Sequence, residues 1–242
     1  MNKLFLGFSK KIEIPSGGFL LIDDEIPEIP KARIFDLDKH SLNPLKNIDY
    51  QKARALTNAL YTIAPEGTTT LTVRNGKRAM LKALLSSRRL DKIDADEEVE
   101  GLVNDLLVSP LLKRIFCNPT NFSFNPNSVI LVRLNRAEIG DFDALVIGLL
   151  LMNHYQGQVV VKDFGFYGRD GHVSLVRENR LYAGLNHLGE VTPRLRHALL
   201  GIKDKSGKGA LYADAQVLAE YAGLAPHTNG FIGFVDEAMQ AS

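Results

Sequence analysis

Three stretches of sequence decide the fold: SVILVRL at 128–134, QVVVKDF at 158–164 and RLYAGL at 180–185. Each is a mainly apolar run of strand length, which is typical of a strand buried on both faces of a sheet. Asp143 to Tyr155 is almost entirely apolar and long enough for a buried helix. Strands that alternate with helices predict an α/β three-layer sandwich with a mostly parallel central sheet. We expect the three strands to lie side by side, with this helix as the crossover between the first two.

The remaining elements extend this pattern in both directions. FLLID (19–23) and ARIFDLD (32–38) read as two more buried strands, and 4–14 as a short strand or hairpin. Apolar spacing predicts helices over 49–61, 73–85, 97–107, 111–116, 171–178, 193–200, 214–222 and 231–239. One domain is expected, in which 1–30 holds the first strands and an acidic loop. Residues 31–202 then form the α/β core, and 203–242 a helical appendage.

Composition excludes several classes of protein. The 242 residues carry a net charge of +1, so no global field attracts the chain to nucleic acid or to a membrane. The single cysteine, Cys117, excludes an internal disulfide, and the six histidines lack the spacing of a zinc site. The apolar stretch near the start is too short for a signal peptide, and no run is long enough to span a membrane. A cytoplasmic protein without a membrane span is therefore predicted.

Acidic residues follow two of the predicted strands. Asp23, Asp24 and Asp36 would lie at the carboxyl edge of the sheet, where open α/β sheets bind ligands. Carboxylates gathered there suit Mg²⁺ or Mn²⁺ in metal-dependent phosphoester chemistry. The alternatives are solvated strand-end acids or a contact with a basic partner.

Basic residues cluster on the second predicted helix. Arg74, Lys77, Arg78 and Lys82 recur at a spacing that places them on one face. Such a face can contact the phosphates of DNA, or it can simply be solvated. Few aromatic residues lie among these cations, so base stacking is not indicated.

An ordered set of segments resembles the FtsK/HerA group of P-loop ATPases, most closely its TraG-like branch. SPLLKRIFCNPTNFSF (109–124) precedes SVILVRL, a short linker and the long apolar helix. VVVKDFGFYG (159–168) stands where that family has its Walker B strand. Residues 174–201 resemble the part of the family that follows, which is a helix ending in an arginine, a strand, a polar sensor residue and a further helix. The resemblance covers about residues 32–202 and implies a RecA/FtsK-like P-loop NTPase fold with a shortened N-terminus.

The resemblance assigns three roles. Asp163 takes the place of the Walker B aspartate, Asn186 that of the sensor, and Arg177 that of the arginine that completes a neighbouring subunit's nucleotide site. Arg180 is the near alternative to Arg177. The simpler reading is that the arginine forms a surface ion pair and that Asn186 bonds local backbone.

Departures from the family pattern point away from catalysis. A P-loop of the form G-x-x-x-x-G-K-[S/T] should follow FLLID, but DDEIPE (23–28) stands there, and four acids with a proline repel phosphate. GIKDKSGKG (201–209) has the wrong spacing and reads as a solvated loop. Phe164 replaces the second Walker B acid. No nucleotide cofactor is expected, and Mg²⁺ only if the chain is a metal enzyme.

The function expected from this sequence is non-catalytic. The family moves DNA in conjugation, chromosome segregation and packaging, so we expect an assembly or regulatory partner in machinery of a plasmid, integrative element or virus. Its partner would be an active motor ATPase, a relaxase or a second copy of the chain, with DNA contact left open. The alternatives are a metal-dependent phosphoester hydrolase that uses the strand-end acids, and a structural protein that reuses the fold.

Overall fold

The computed structural model describes residues 3–6, 14–63, 70–200 and 211–213. The strands are β1 Lys3–Leu6, β2 Phe19–Asp23, β3 Arg33–Ile34, β4 Val129–Arg133, β5 Gln158–Val161, β6 Leu181–Leu185 and β7 Leu211–Ala213. The helices are α1 Tyr50–Tyr61, α2 Thr70–Ser86, α3 Glu97–Leu107, α4 Pro110–Cys117, α5 Arg136–Ile139, α6 Asp141–His154, α7 Phe164–Tyr167, α8 Val173–Arg177 and α9 Pro193–Leu200. Single 3₁₀ turns cover Leu90–Lys92, Asp170–His172 and Leu188–Glu190.

The seven described strands form one sheet in the order β3-β4-β2-β5-β6-β1-β7, and every neighbouring pair is parallel. The predicted α/β fold with a parallel sheet is thereby confirmed. β5 and β6 are neighbours as expected, but β4 and β5 are not, because β2 lies between them. The first four residues of β2 are buried, so this strand is most stable with a partner on each side. The chain through α6 therefore crosses β2 on its way from β4 to β5.

Local sequence explains where the helices begin. The carboxylates of Asp49 and Asp96 accept hydrogen bonds from Lys52 N (2.8 Å) and Val99 N (3.1 Å), which caps α1 and α3. Ser109 caps α4, whose first residue is Pro110, so the break predicted at this proline is confirmed. Among the described residues, no helix combines the length and apolar character needed to cross a bilayer.

Apolar side chains on both faces of the sheet are buried. The main cluster joins one face, including Leu20, Ile130 and Val159, to residues of the helices. A smaller cluster on the opposite face contains Phe19, Leu21, Leu131 and Val160, and the segment 24–32 packs against it through Ile26, Ile29 and Ala32. Burial on both faces is compatible with the predicted three-layer arrangement.

Two expectations need correction. The stretch 32–38 was expected to be a buried strand, but only Arg33 and Ile34 are extended, and both are exposed because β3 is an edge strand. Leu211–Ala213 was expected within a helical appendage, yet these residues pair with β1 as the opposite edge strand. The helices predicted over 214–222 and 231–239 lie outside the described residues.

Candidate functional site

The carboxyl ends of β2, β4 and β5 meet at the point where the strand order reverses. From β2 the chain runs to β3 and β4 on one side, and it returns past β2 to β5 on the other. Open α/β sheets bind ligands in the crevice beyond such a switch point. Asp23 ends β2, and Lys162 and Asp163 directly follow β5, so the side chains at this crevice are charged.

Ion pairs join the charged side chains at this crevice. Lys162 Nζ lies 2.5 Å from Asp23 Oδ2. The Arg136 guanidinium donates to both oxygens of Asp24, at 2.6 to 3.1 Å, and its Nη1 lies 3.0 Å from Asp163 Oδ2. We call these five residues, Asp23, Asp24, Arg136, Lys162 and Asp163, the carboxyl-edge cluster. Every carboxylate in it contacts a cation of the same chain.

Arg136 is the centre of this cluster. Its guanidinium carbon lies 4.5 Å from the centroid of the Phe166 ring, so the aromatic face adds a cation–π contact to the two ion pairs. The hydrogen bond to Asp24, with the nearby charges of Asp24 and Asp163, raises the pKa of Arg136 further. The planar guanidinium matches a carboxylate with two parallel donors, a geometry that lysine cannot reproduce.

Asp163, which the resemblance places at the Walker B aspartate, has both carboxylate oxygens engaged. Oδ1 accepts a hydrogen bond from Phe166 N at 3.2 Å and caps α7, while Oδ2 faces Arg136. Phe164, which the resemblance places at the second Walker B acid, is fully buried in the main core. The phenyl ring has no proton acceptor, so residue 164 itself supplies no catalytic base.

The three aspartates considered as metal ligands do not form a metal site. Asp23 and Asp24 belong to the carboxyl-edge cluster, and Asp36 pairs instead with Lys39 at 2.8 Å. β4 separates β3, which precedes Asp36, from β2. Across the described ranges, no group of three or more His, Cys, Asp or Glu residues is placed to hold a metal ion.

Asn186 lies directly after β6, at the carboxyl edge as the sensor assignment requires, and is exposed. Its backbone N–H donates to Glu190 Oε2 at 3.0 Å. The same glutamate lies against Gly165, where a Cβ would come within 2.4 Å of Oε2. Glu190 therefore connects the end of β6 with the turn after Asp163.

Arg177 lies elsewhere, in a second polar region. A groove of about 530 Å³ separates α1 from α8, with Lys77 of α2 and Arg194 of α9 also in its wall. We call it the basic groove, and its cations are Lys52, Arg54, Lys77, Arg177, Arg180 and Arg194. The acids that line it within the described part of the chain are Asp170 and Glu178.

The predicted DNA-binding residues divide between two surfaces. Arg74, Arg78 and Lys82 are exposed on α2, whereas Lys77 is partly buried and belongs to the basic groove. Lys77 Nζ lies 3.4 Å from Asn58 Oδ1 and 5.8 Å from the centroid of the Tyr61 ring. Burial and the charge of Arg194 lower its pKa. The three exposed residues therefore extend the groove's positive charge along α2.

Reasoning from sequence missed the cations of the carboxyl-edge cluster. Arg136 lies in the short linker that follows SVILVRL, and Lys162 lies within the run QVVVKDF; the sequence patterns assign neither of them a role. Both follow from a simple signal: each stands at or just after the carboxyl end of a predicted strand, where acids of neighbouring strands also lie. Lys52 and Arg54 of the basic groove carry no such signal, because the other groove cations lie on helices that are far away in the sequence.

Comparison of the chain with protein-family models, with curated proteins and with solved structures found no match.

Proposed function

We propose that this chain is a non-catalytic protein of the P-loop NTPase fold, related to the FtsK/HerA group, that acts as an assembly or regulatory partner in DNA-handling machinery. The observation that carries the proposal is the bridge from Asp24 through Arg136 to Asp163. It occupies the crevice where a working relative would hold nucleotide phosphates and magnesium.

Electrostatics of the carboxyl-edge cluster support this function. Three carboxylates and two cations leave one net negative charge, which repels the phosphates of a nucleotide. Phosphate-binding loops instead present a row of free backbone N–H groups with a lysine. No helix follows β2 here, because the segment 24–32 is irregular and leads directly to β3.

The same cluster disfavours metal-dependent hydrolysis. Mg²⁺ needs near-octahedral oxygen ligands and retains several waters. To bind it, Asp24 and Asp163 would have to release Arg136, which would then remain beside the cation. We therefore propose no hydrolase activity for the strand-end acids.

The first test is a calorimetric titration of the purified chain with Mg-ATP. We expect no stoichiometric heat of binding in the micromolar range that working enzymes use. A saturable site that Asp163→Ala abolishes would contradict the proposal, because it would place nucleotide at the carboxyl-edge cluster. Asp36→Ala is the matched control, since Asp36 lies outside that cluster.

The partner is tested by affinity purification of a tagged chain from the organism that encodes it. We expect a protein with an intact P-loop, or a relaxase, to be enriched in stoichiometric amount. Reconstitution from the two purified proteins should then change the motor's ATP turnover or its assembly. No effect of the chain on the purified partner would contradict the regulatory function.

A further inference from the structure

Among the described residues, six cations and two acids, Asp170 and Glu178, line the basic groove, so these side chains carry a net charge of about +4. The whole chain has a net charge of +1. Positive charge is therefore concentrated here rather than spread over the surface. A groove with one sign of charge raises the local concentration of an oppositely charged ligand.

Half of the groove's cations have no partner within the described part of the chain. Arg180 pairs with Glu178 at 2.8 Å and donates to Tyr155 O at 2.6 Å, and Lys52 reaches Asp49 at 3.6 Å. No hydrogen bond or ion pair joins the side chains of Arg54, Arg177 or Arg194 to another described residue. These three guanidiniums keep their donors available for a ligand.

The other groove residues suit phosphate better than carboxylate-rich protein. Asn58, Asn153 and Gln156 add neutral amides, and side chains of this type hydrogen-bond to phosphate oxygens in nucleic-acid complexes. A protein partner would need apolar or aromatic anchors at the centre of its interface. Among its described lining residues the groove offers few, since Ala55 and Val173 are the aliphatic members and Tyr61 is the aromatic one.

The extent of the positive surface indicates a polymer rather than a single nucleotide. Lys77 lies in the groove, and Arg74, Arg78 and Lys82 continue from it along α2. These exposed cations extend the positive surface along one helix, α2, beyond the groove itself. We propose that the basic groove binds the sugar–phosphate backbone of nucleic acid, with Arg54, Arg177 and Arg194 as phosphate contacts. The inference goes beyond the proposed function, which does not require the chain itself to touch DNA.

The test is fluorescence anisotropy of the purified full-length chain with a labelled DNA duplex of about 30 base pairs at several salt concentrations. We expect a dissociation constant of about 10 to 100 µM near 150 mM salt, in the range of nonspecific binding. The log–log slope of affinity against salt should be about −3, because the three guanidiniums neutralise about three phosphates. No binding near 150 mM salt would overturn the proposal.

Matched variants locate the site. Arg54→Glu combined with Arg177→Glu should weaken binding at least about tenfold and flatten the slope by about two units. Lys92→Glu combined with Lys113→Glu makes the same change of charge at two exposed residues outside the groove and should leave affinity within about twofold. Equal losses in both pairs would overturn the assignment to the groove.

Two further measurements keep the result interpretable. Thermal unfolding should show that both double variants remain folded, because all four substituted side chains are exposed. If charge reversal unfolds the chain, the double variant Arg54→Gln with Arg177→Gln replaces it. Poly-glutamate is added as a competitor. If poly-glutamate displaces DNA when its carboxylates are present at the same concentration as the DNA phosphates, the ligand is an acidic protein and the nucleic-acid proposal is overturned. The titration with Mg-ATP is independent, so the two proposals can fail separately.

Discussion

At the carboxyl edge of the sheet, Asp23, Asp24 and Asp163 each contact a cation, whereas in the basic groove Arg54 and Arg177 contact no anion of the described chain. Both regions are rich in charge, and both lie against the same core. In the first, the charges are paired with one another within the chain. In the second, donors remain available to solvent.

This difference separates charges that stabilise the fold from charges that can recognise a ligand. A paired cation contributes to folding, and removing it leaves an unsatisfied carboxylate. An unpaired exposed cation contributes little to folding. In the basic groove such cations also lie close to one another, which suits the binding of an anionic ligand rather than the stability of the fold. The comparison also changes the interpretation of Arg177, which was assigned from a resemblance and lies with the groove residues.

The largest effect should come from Arg136→Met. This substitution keeps an apolar side chain over Phe166 but leaves Asp24 and Asp163 without their common cation. Because the three charged side chains are roughly two-thirds buried, we expect the free energy of unfolding to fall by about 2 to 3 kcal/mol, between the values for surface and buried pairs. Urea denaturation monitored by circular dichroism measures it.

Arg177→Met is the matched control for that measurement. The same atoms are removed, but from an exposed side chain without a partner among the described residues. Stability should change by less than about 0.5 kcal/mol. Equal losses for the two variants would show that the two regions do not differ as we describe.

A second prediction concerns acid. His172 lies between the groove-lining residues Gly171 and Val173 and is fully buried, and Arg169 N donates to its Nδ1 at 3.1 Å. Burial and the charge of Arg169 lower its pKa from 6.5 to about 3. Below pH 6.5 the unfolded chain therefore binds a proton that the folded chain does not, and stability falls as the pH falls.

Between about pH 6.5 and about pH 5 this histidine should account for a loss of about 2 kcal/mol. Urea denaturation across that range should give His172→Gln a flatter dependence on pH than the unsubstituted chain, whatever its stability at neutral pH. His197→Gln, at an exposed histidine, should keep the original dependence. A dependence unchanged by His172→Gln would mean that the imidazole is charged in the folded protein.

The sequence predicted the elements better than their arrangement. Apolar runs and apolar spacing indicated α3, α4, α6 and the central strands, because these patterns are local. The insertion of β2 between β4 and β5 depends on which strand gains most from two neighbours, a property of the whole sheet. β3 is exposed because it lies at the edge of the sheet, and the apolar residues of 32–38 do not indicate which strand takes the edge.

The site was predictable to a similar degree. Acids at the strand ends were recognised, since residues that follow parallel strands meet at one edge. Their pairing with Lys162 and Arg136 was not, because an ion pair depends on side-chain reach across two strands. The basic groove gathers cations from α1, α2, α8 and α9, and no sequence spacing links those helices.

The smallest predicted effect has the opposite sign to that of Arg136→Met. Burial first, and then the charge of Arg194, lower the pKa of Lys77, so these two cations repel each other. Arg194→Gln removes that repulsion and leaves an exposed amide in its place. We expect the free energy of unfolding to rise by about 0.3 kcal/mol at low salt, where surface charges interact most strongly, and to show no difference at about 1 M salt. Urea titrations at the two salt concentrations measure the change, with Arg74→Gln, an exposed arginine outside the groove, as the control. If Arg194→Gln destabilises the chain at both salt concentrations while Arg74→Gln does not, Arg194 contributes to the fold. It would then belong with the paired charges of the carboxyl-edge cluster rather than with the free cations of the basic groove.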